Sequence, residues 1–348
     1  MYQPKYTITD SLLMEITELE QNRTKLELAN FPTNTFKDLM KKSKAVNMFH
    51  LAHMIGVELT IKDAEKAIEG KKISTNDARG TILNNFRNVM EFVRSDVTEA
   101  HLETDINLIL HLNKILLTNW KEIWDARLRT DSNEIEPIVD GWLQMRDKNV
   151  SMGEVEARSS ELLFWFKTNH GRIHPLIRIA VLIFEMIRIA PLKYLNQITI
   201  ISLVDLLLYK NGYLNQTFLP VVREIDLHNK TNLNVWANII ESGDLTKWIE
   251  QFIADMNNSI KEDKEKILGL MSSDKNSSSK QPFLDLNRRQ LKILRYLQTI
   301  PTVKREDYVQ MMDVSAMTAF RDLNDLLEKK LLRVEGNGRG TKYLLANR

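Results

Sequence analysis

The sequence predicts a mainly α-helical protein that ends in a small module of mixed α and β structure. Apolar residues recur at helical spacing through most of the chain, as at Ile82, Phe86 and Val89. Strand-like segments near the end lie on either side of the glycine-rich stretch 335–340. The serine-rich stretch 272–280 between the two parts has the composition of a flexible linker. We therefore expect a helical body followed by a compact C-terminal domain.

Residues 1–75 are predicted to form an N-terminal helical region. Thr9 and Asp10 can cap the first helix, Ser11 is also a possible cap, and Pro32 separates this helix from the second. Thr60 can cap a short third helix, because its side chain can accept a hydrogen bond from a backbone N–H of the first turn. Gly70 is the expected stop of that helix.

Residues 76–270 are predicted to form a helical domain, residues 271–281 a linker, and residues 282–348 the C-terminal domain. Pro175 suits the first position of a helix, where its missing N–H is not needed. The polar stretch 127–139 is expected to be a short hairpin. The helices expected in the helical domain span 76–95, 98–117, 153–167, 175–189, 197–210 and 244–269.

The composition is that of a globular protein, with 43% hydrophobic and 27% charged residues among 348. The chain has no cysteine, which excludes disulfides, thiolate nucleophiles and cysteine-ligated zinc, and which suits a reducing compartment. Its start lacks the apolar stretch of a signal peptide. No run of apolar residues approaches the roughly 20 that span a bilayer. We expect a cytoplasmic protein that does not enter membranes.

The C-terminal domain has the element order of a winged helix-turn-helix. Helices are expected at 287–298, 304–311 and 315–330, and a hairpin with its tip at 335–340 follows them. From Lys280 to Arg348, 14 Lys and Arg residues outnumber 8 Asp and Glu residues, whereas the rest of the chain carries a net charge of −4. A basic domain on a mildly acidic body indicates a polyanionic partner.

The third helix of this domain is the predicted DNA-recognition helix. Its small and polar start can approach base edges in a major groove, and its N-terminus favours a phosphate. The segment 314–323 also resembles the recognition helix of many bacterial winged-helix regulators. A winged helix used only for protein contacts or dimerisation is the alternative. The expected contacts to duplex DNA are Ser315, Ala316, Met317, Thr318 and Arg321 on the helix, with Arg339 and Lys342 on the wing.

The body resembles the Fic (filamentation induced by cAMP) family. The resemblance rests on the His-Pro pair that begins 174–180, on Phe184, on 187–192, and on the closing Leu-Leu-Leu and Gly-Tyr of 205–213. The N-terminal helices and the C-terminal winged helix match the layout of longer family members. The resemblance implies a helical bundle and transfer of AMP from ATP to a protein hydroxyl, with Mg²⁺ as the metal.

The family's catalytic loop aligns with 190–198, where most of its chemistry is missing. The resemblance places the general base at Ala190, the metal ligand at Tyr194, and the phosphate-gripping residue at Ile198. The two glycines of the anion-binding loop become Leu195 and Gln197, whereas Pro191 and Asn196 are retained. Loss of a general base alone lowers a rate by about 10²–10⁴-fold. We predict a degenerate Fic domain with no catalytic residue, no bound metal and no cofactor.

A second segment of the family is altered in the same way. Residues 51–60 resemble the inhibitory helix, whose glutamate pairs with the phosphate-gripping arginine in the family. Ile55 stands at the glutamate position and Ile198 at the arginine position, so both charges of the pair are absent. Joint loss is physically consistent, since one unpaired charge is costly to bury.

The leading hypothesis is a DNA-binding regulator or scaffold that contacts duplex DNA through 282–348, and whose body either forms a homodimer or senses a ligand or protein. One alternative is a weak or divergent adenylyltransferase that uses ATP and Mg²⁺; another is a protein-interaction module that binds a partner in the emptied cleft. His170 and His174 are expected to cap or pack rather than to bind metal. Packing roles are also expected for Trp120, Trp124 and Trp142.

Overall fold

The computed structural model describes residues 2–28, 33–95, 103–130, 146–147, 150–213, 221–224, 235–236, 239–240, 242–273, 286–299, 302–336, 338 and 341–346. The chain divides into two compact units. One, here called the body, comprises Met1–Glu27 and Phe31–Leu270, and the other, the C-terminal unit, comprises Leu28–Asn30 and Met271–Arg348.

Helices account for nearly all the regular structure described before the C-terminal unit. A short 3₁₀ turn, Ile123–Asp125, follows the fifth helix. The helices are α1 (Asp10–Leu28), α2 (Thr33–Met54), α3 (Ile61–Ile68), α4 (Arg79–Ser95), α5 (Ile106–Leu117), α6 (Met152–Thr168), α7 (Pro175–Ile189), α8 (Asn196–Lys210), α9 (Val221–Glu224) and α10 (Thr246–Ser273).

The centre of the body is formed by α7 and α8. In α7, every residue from Leu176 to Ile189 is buried except Glu185 and Arg188, and α8 is buried from Gln197 to Leu208. Burial on all sides explains why both segments are apolar around the whole helix rather than along one stripe. Within the described residues, no helix combines the length and the apolar character needed to cross a membrane.

Several expected helix ends match the structure because local caps determine them. Thr60 Oγ1 accepts the Asp63 N–H at 3.1 Å, and Pro175 occupies the first turn of α7. The helix expected from residue 98 begins instead at Ile106, since the Asp105 carboxylate accepts the Leu108 N–H at 2.9 Å. The last body helix runs to Ser273, past the expected end at 269 and into the stretch predicted as a linker. Most of the expected hairpin at 127–139, and Trp142, lie outside the described residues.

The C-terminal unit contains three helices and an antiparallel hairpin. Leu332 pairs with Leu345 and Glu335 with Lys342, and Val303 exchanges two backbone hydrogen bonds with Tyr343 at 3.0 and 2.8 Å. These elements enclose a core that includes Ile293, Leu297, Tyr308, Leu323, Leu326 and Tyr343. The elements are α11 (Arg288–Thr299), α12 (Arg305–Met312), α13 (Ala316–Glu328), β1 (Leu332–Glu335) and β2 (Lys342–Leu345).

Candidate functional site

The turn 190–195 joins α7 to α8 and has left-handed backbone at both ends. Ala190, after the last residue of α7, has φ of 45°, and Leu195, just before α8, has φ of 55°. Non-glycine residues adopt this region at a cost of roughly 1–2 kcal/mol each. Leu195 stands where the family resemblance places a glycine, so a larger side chain now occupies a conformation that glycine would adopt without strain.

A buried arginine fixes the first half of the turn. Arg129 is only 3% exposed, and its guanidinium donates to the carbonyls of Ala190 at 2.9 Å and Ile189 at 3.1 Å. Its backbone N–H donates to the Pro191 carbonyl at 2.8 Å, and Leu128 forms an antiparallel bridge with Leu192. Three successive carbonyls at the start of the turn are therefore bonded to one residue of the preceding segment.

Two asparagines fix the second half. Asn196 closes the turn on itself, because its side chain accepts the Leu192 N–H and donates to the Leu192 carbonyl, both at 2.7 Å. Asn113 of α5 is fully buried and donates to the Tyr194 carbonyl at 2.9 Å and to Thr199 Oγ1 at 3.0 Å. Asn196 thus holds the turn together. Asn113 was not among the site residues expected from the sequence.

Side chains fill the positions that the resemblance assigns to phosphate binding. Gln197 and Ile198 are 7% and 1% exposed, and Gln197 Nε2 donates to Met54 Sδ at 2.9 Å. Ile55, to which the resemblance assigns the position of the inhibitory glutamate, is 2% exposed and follows Met54 directly. The end of α2 and the start of α8 therefore meet through uncharged groups.

Tyr194, to which the resemblance assigns the metal-ligand position, has two cations on its ring. The ammonium groups of Lys121 and Lys193 lie 4.5 and 4.8 Å from the ring centroid, and the Trp120 ring meets Tyr194 edge to face. Lys193 also donates to Asp125 at 2.6 Å, and this bond lowers the pKa of the Asp125 carboxyl. Among the described residues, no three His, Asp or Glu side chains are grouped to hold a metal ion.

The motif residues outside the turn have structural contacts. His174 precedes α7, and its Nε2 lies 3.3 Å from the Glu20 carboxylate. Tyr213 donates its hydroxyl to the same carboxylate at 2.5 Å, and Arg23 donates at 2.9 Å. His170 Nδ1 lies 3.2 Å from the guanidinium of Arg178, which is the contact that the structure gives this ring. The His-Pro and Gly-Tyr motifs therefore meet at Glu20 of α1.

An exposed apolar pair lies beside the turn, next to a residue that is bonded to it. Trp124 is 69% exposed and Ile123 is 59% exposed, and both belong to the short 3₁₀ turn that Asp125 links to Lys193. The packing role expected for Trp124 is therefore wrong. Solvent-exposed tryptophan is unusual on a surface without a partner, and it is enriched among interface hot spots.

The C-terminal unit presents most of the predicted DNA contacts on one surface of α13. Ser315, Ala316, Met317 and Arg321 are exposed, and Lys342 is exposed at the start of β2. Ser315 Oγ caps α13 by accepting the Thr318 N–H at 3.2 Å, and Thr318 is half-buried. Arg339 lies outside the described residues.

Two residues of α13, described next, were not among the site residues expected from the sequence. Phe320 is 42% exposed on the outer side of the helix. Asp322 is buried on the inner side, where Arg289 donates to it at 2.7 Å, Asn287 at 2.8 Å and Tyr308 at 2.9 Å. Burial opposes the Asp322 charge, but these hydrogen bonds hold the pKa of its carboxyl below the usual range. Asp322 thereby joins α13 to α11 and α12.

Solved structures show which class of fold this is. A Fic family protein from Desulfovibrio desulfuricans G20 aligns over 100% of this chain and 99% of its own, with a TM-score of 0.58 and 17% identity. A Fic domain containing signaling protein from Bacteroides thetaiotaomicron covers 71% of this chain and 95% of its own, with a TM-score of 0.54 and 18% identity. A singly substituted fragment of Fic-1 from C. elegans covers 73% of this chain and 72% of its own, with a TM-score of 0.55 and 18% identity. The chain has the fold of Fic family proteins.

The C-terminal unit matches a known domain family. The family profile of the DeoR-like helix-turn-helix domain matches residues 289–338. This stretch begins in α11 and includes α12, α13 and β1, so a DeoR-like helix-turn-helix domain follows the Fic fold in this chain. A search of curated proteins finds no match to the sequence.

Proposed function

We propose that the protein is a DNA-binding regulator that contacts duplex DNA through its helix-turn-helix domain. The observation that carries this proposal is the surface of α13, which presents Ser315, Met317 and Arg321 to solvent while its opposite face forms the domain core. A capped, exposed helix N-terminus in a domain with a net charge of +6 between residues 280 and 348 suits a groove lined by phosphates.

We further propose that the Fic-fold body does not transfer AMP. Ala190 has no group that can accept a proton from a target hydroxyl. The ammonium groups beside Tyr194 would repel Mg²⁺, and the buried Gln197 and Ile198 offer no charge to a phosphate. Phosphoryl-type transfer depends on positioning and charge stabilisation, which these residues do not supply. The donor set does not fit Mg²⁺-ATP.

A homodimer follows from the proposed DNA-binding role. One recognition helix per chain reads one half-site, and regulators of this type gain affinity when a two-fold symmetric pair reads two half-sites about one helical turn apart. The proposed location is the cytoplasm of a bacterial cell, where the chromosome is accessible. Sedimentation of the full chain with and without duplex DNA tests the stoichiometry: a single chain per selected site would contradict the dimer.

Salt dependence of DNA affinity tests the main proposal. The exposed cations of the domain include Arg305, Arg321 and Lys342. If about four phosphates are contacted, the affinity of the full chain for a random-sequence duplex should fall about 10²-fold between roughly 50 and 200 mM salt. Arg321→Ala should weaken binding and flatten this slope. Lys329→Gln is the control, because Lys329 is already paired with Asp325 at 2.6 Å. Absent or salt-independent binding would contradict the proposal.

The exposed Trp124 and Ile123 favour a second candidate function, docking of a protein partner beside the altered turn. An exposed tryptophan with an aliphatic neighbour has the composition of a binding hot spot. Selection of peptides from a random display library by the full chain tests it. Peptides whose binding is lost in Trp124→Ala, but kept in an alanine variant of the similarly exposed Phe164 (53%), would support this candidate. Peptides that bind both variants equally would refute it.

A further inference from the structure

The outer face of α13 carries large apolar side chains at its N-terminal end. Met317 is 62% exposed and Phe320 is 42% exposed. Residues three apart lie on the same face of a helix, so these two side chains form one apolar patch. On the other face, Ala319, Leu323 and Leu326 are fully buried in the domain core. The patch is therefore additional to the apolar stripe that folds the domain.

Solvent-facing positions of a helix are ordinarily polar, since exposed apolar side chains do not contribute to folding. Here Met317 and Phe320 are accompanied by the exposed Ser315 and Arg321. The apolar patch lies beside polar and basic groups, in a domain whose net charge between residues 280 and 348 is +6. A matching binding partner would carry negative charge overall and would present apolar groups at the patch. The major groove of DNA has this combination, because each thymine presents a C5-methyl group between the phosphate backbones.

We infer that Met317 and Phe320 read thymine methyl groups, so that the DNA site of this protein contains two neighbouring A·T pairs opposite the start of α13. This inference rests on the proposed DNA binding and adds its sequence preference. Positions 317 and 320 are separated by about 4.5 Å along the helix axis. Consecutive bases of one strand are about 3.4 Å apart. The two side chains therefore span adjacent base pairs.

Asp322 holds the patch in place without taking part in it. Its carboxylate accepts from Arg289 of α11 and Tyr308 of α12, on the side of α13 opposite to Phe320. The core residues Leu323 and Leu326 anchor the same side. Because the inner face is fixed by both hydrogen bonds and packing, the direction in which Met317 and Phe320 project is set before any DNA is bound.

Replacement of thymine by uracil tests the inference, because uracil lacks only the C5-methyl group. The full chain is first used to select a site from a random duplex library, and two adjacent A·T pairs are expected within it. The thymine of each of these two A·T pairs is then replaced by uracil, one at a time, in a synthetic duplex. A buried methyl group contributes about 0.8 kcal/mol, so each replacement should weaken binding about fourfold.

The variants assign the effect to the two side chains. Phe320→Ala should bind the thymine duplex more weakly and should lose its preference for thymine over uracil at one position; Met317→Ala should do so at the neighbouring position. Val334→Ala is the matched control, because Val334 is a similarly exposed apolar residue (43%) of β1 and should leave both preferences unchanged. All three side chains are exposed, so the melting temperatures of these variants should match the parent.

The outcomes separate this inference from the proposed function. If the full chain binds no duplex, DNA binding itself is refuted. If it selects a site and binds with the expected salt dependence, but thymine and uracil duplexes bind equally, DNA binding stands and the reading of methyl groups is overturned. A selected site without adjacent A·T pairs overturns it as well.

Discussion

Glu20 joins three parts of the body, and its replacement by glutamine should destabilise the body in a pH-dependent way. The carboxylate lies 3.3 Å from His174 Nε2, accepts the Tyr213 hydroxyl at 2.5 Å, and pairs with Arg23 at 2.8 Å. Burial alone would raise the pKa of this carboxyl. The hydrogen bonds from His174 and Tyr213, together with Arg23, lower the pKa from 4.5 to about 2.

The size of the effect follows from that shift. A pKa difference of one unit corresponds to about 1.36 kcal/mol, so ionised Glu20 stabilises the body by about 3 kcal/mol relative to its protonated form. Glutamine resembles the protonated form, and Glu20→Gln should therefore lose about this amount at pH 7. Because the pKa in the folded state is depressed, the stabilisation is complete above pH 4.5 and is lost as the pH falls towards 2. About half of it should remain near pH 3.

Urea unfolding followed by tryptophan fluorescence measures this loss in the body alone, because all six tryptophans lie between Trp120 and Trp248. With a slope of about 3 kcal/mol per molar urea, the midpoint at pH 7 should fall by about 1 M. Glu103→Gln is the control: its carboxylate pairs with Lys167 but is 65% exposed, and its loss should change stability by less than about 1 kcal/mol. A Glu20→Gln effect that is absent at pH 7, or equally large at pH 7 and pH 3, would refute the reasoning.

Three other predictions concern the turn and the helix-turn-helix domain. Arg129→Ala should destabilise the body by about 2–4 kcal/mol, measured by the same unfolding assay, since two buried carbonyls lose a charged donor; a change below about 1 kcal/mol would contradict the assigned role. ATP with Mg²⁺ should leave the melting temperature of the full chain unchanged and label no protein, even in Ala190→His, because a restored base supplies no phosphate or metal ligand; a magnesium-dependent shift or label would contradict the proposed loss of activity. Asp322→Asn should accelerate amide hydrogen exchange in α13 and weaken DNA binding without changing the preference for thymine over uracil, and unchanged exchange would exclude the anchoring role of this carboxylate. Because the pKa of Asp322 is lowered, its contribution should disappear in acid, as the pH falls through the folded-state pKa.

The features that were predicted correctly from sequence depend on neighbouring residues. The caps at Thr60 and Ser315, the proline at the start of α7, and the helix-turn-helix element order all follow from interactions over a few positions. The early start expected for α5 was wrong because the local cap at Asp105 begins the helix later than periodicity suggested. Helical periodicity identifies the face of a helix better than it identifies its ends.

The candidate site was located by sequence, but its contacts were not. The position of the turn and the uncharged side chains of Ala190, Tyr194 and Ile198 can be read from the sequence. Arg129 bonds to Ala190 across 61 positions, and Asn113 bonds to Tyr194 across 81 positions. No spacing rule relates residues that far apart. The same holds for Phe320, whose exposure depends on how the rest of the C-terminal unit covers the other face of α13.

The sequence by itself determined the helical class, the order of most elements, the basic character of the C-terminal domain, and the uncharged side chains at 194–198 of the turn. Those properties follow from composition, from periodicity and from hydrogen bonds within one turn of backbone. Only the tertiary structure decided that Arg129, Asn113 and Asn196 bond to the backbone of the turn, and that Trp124, Met317 and Phe320 face solvent. The physical reason is that a side chain's partner is set by which distant segments pack together, and that packing is a collective result of the whole buried core.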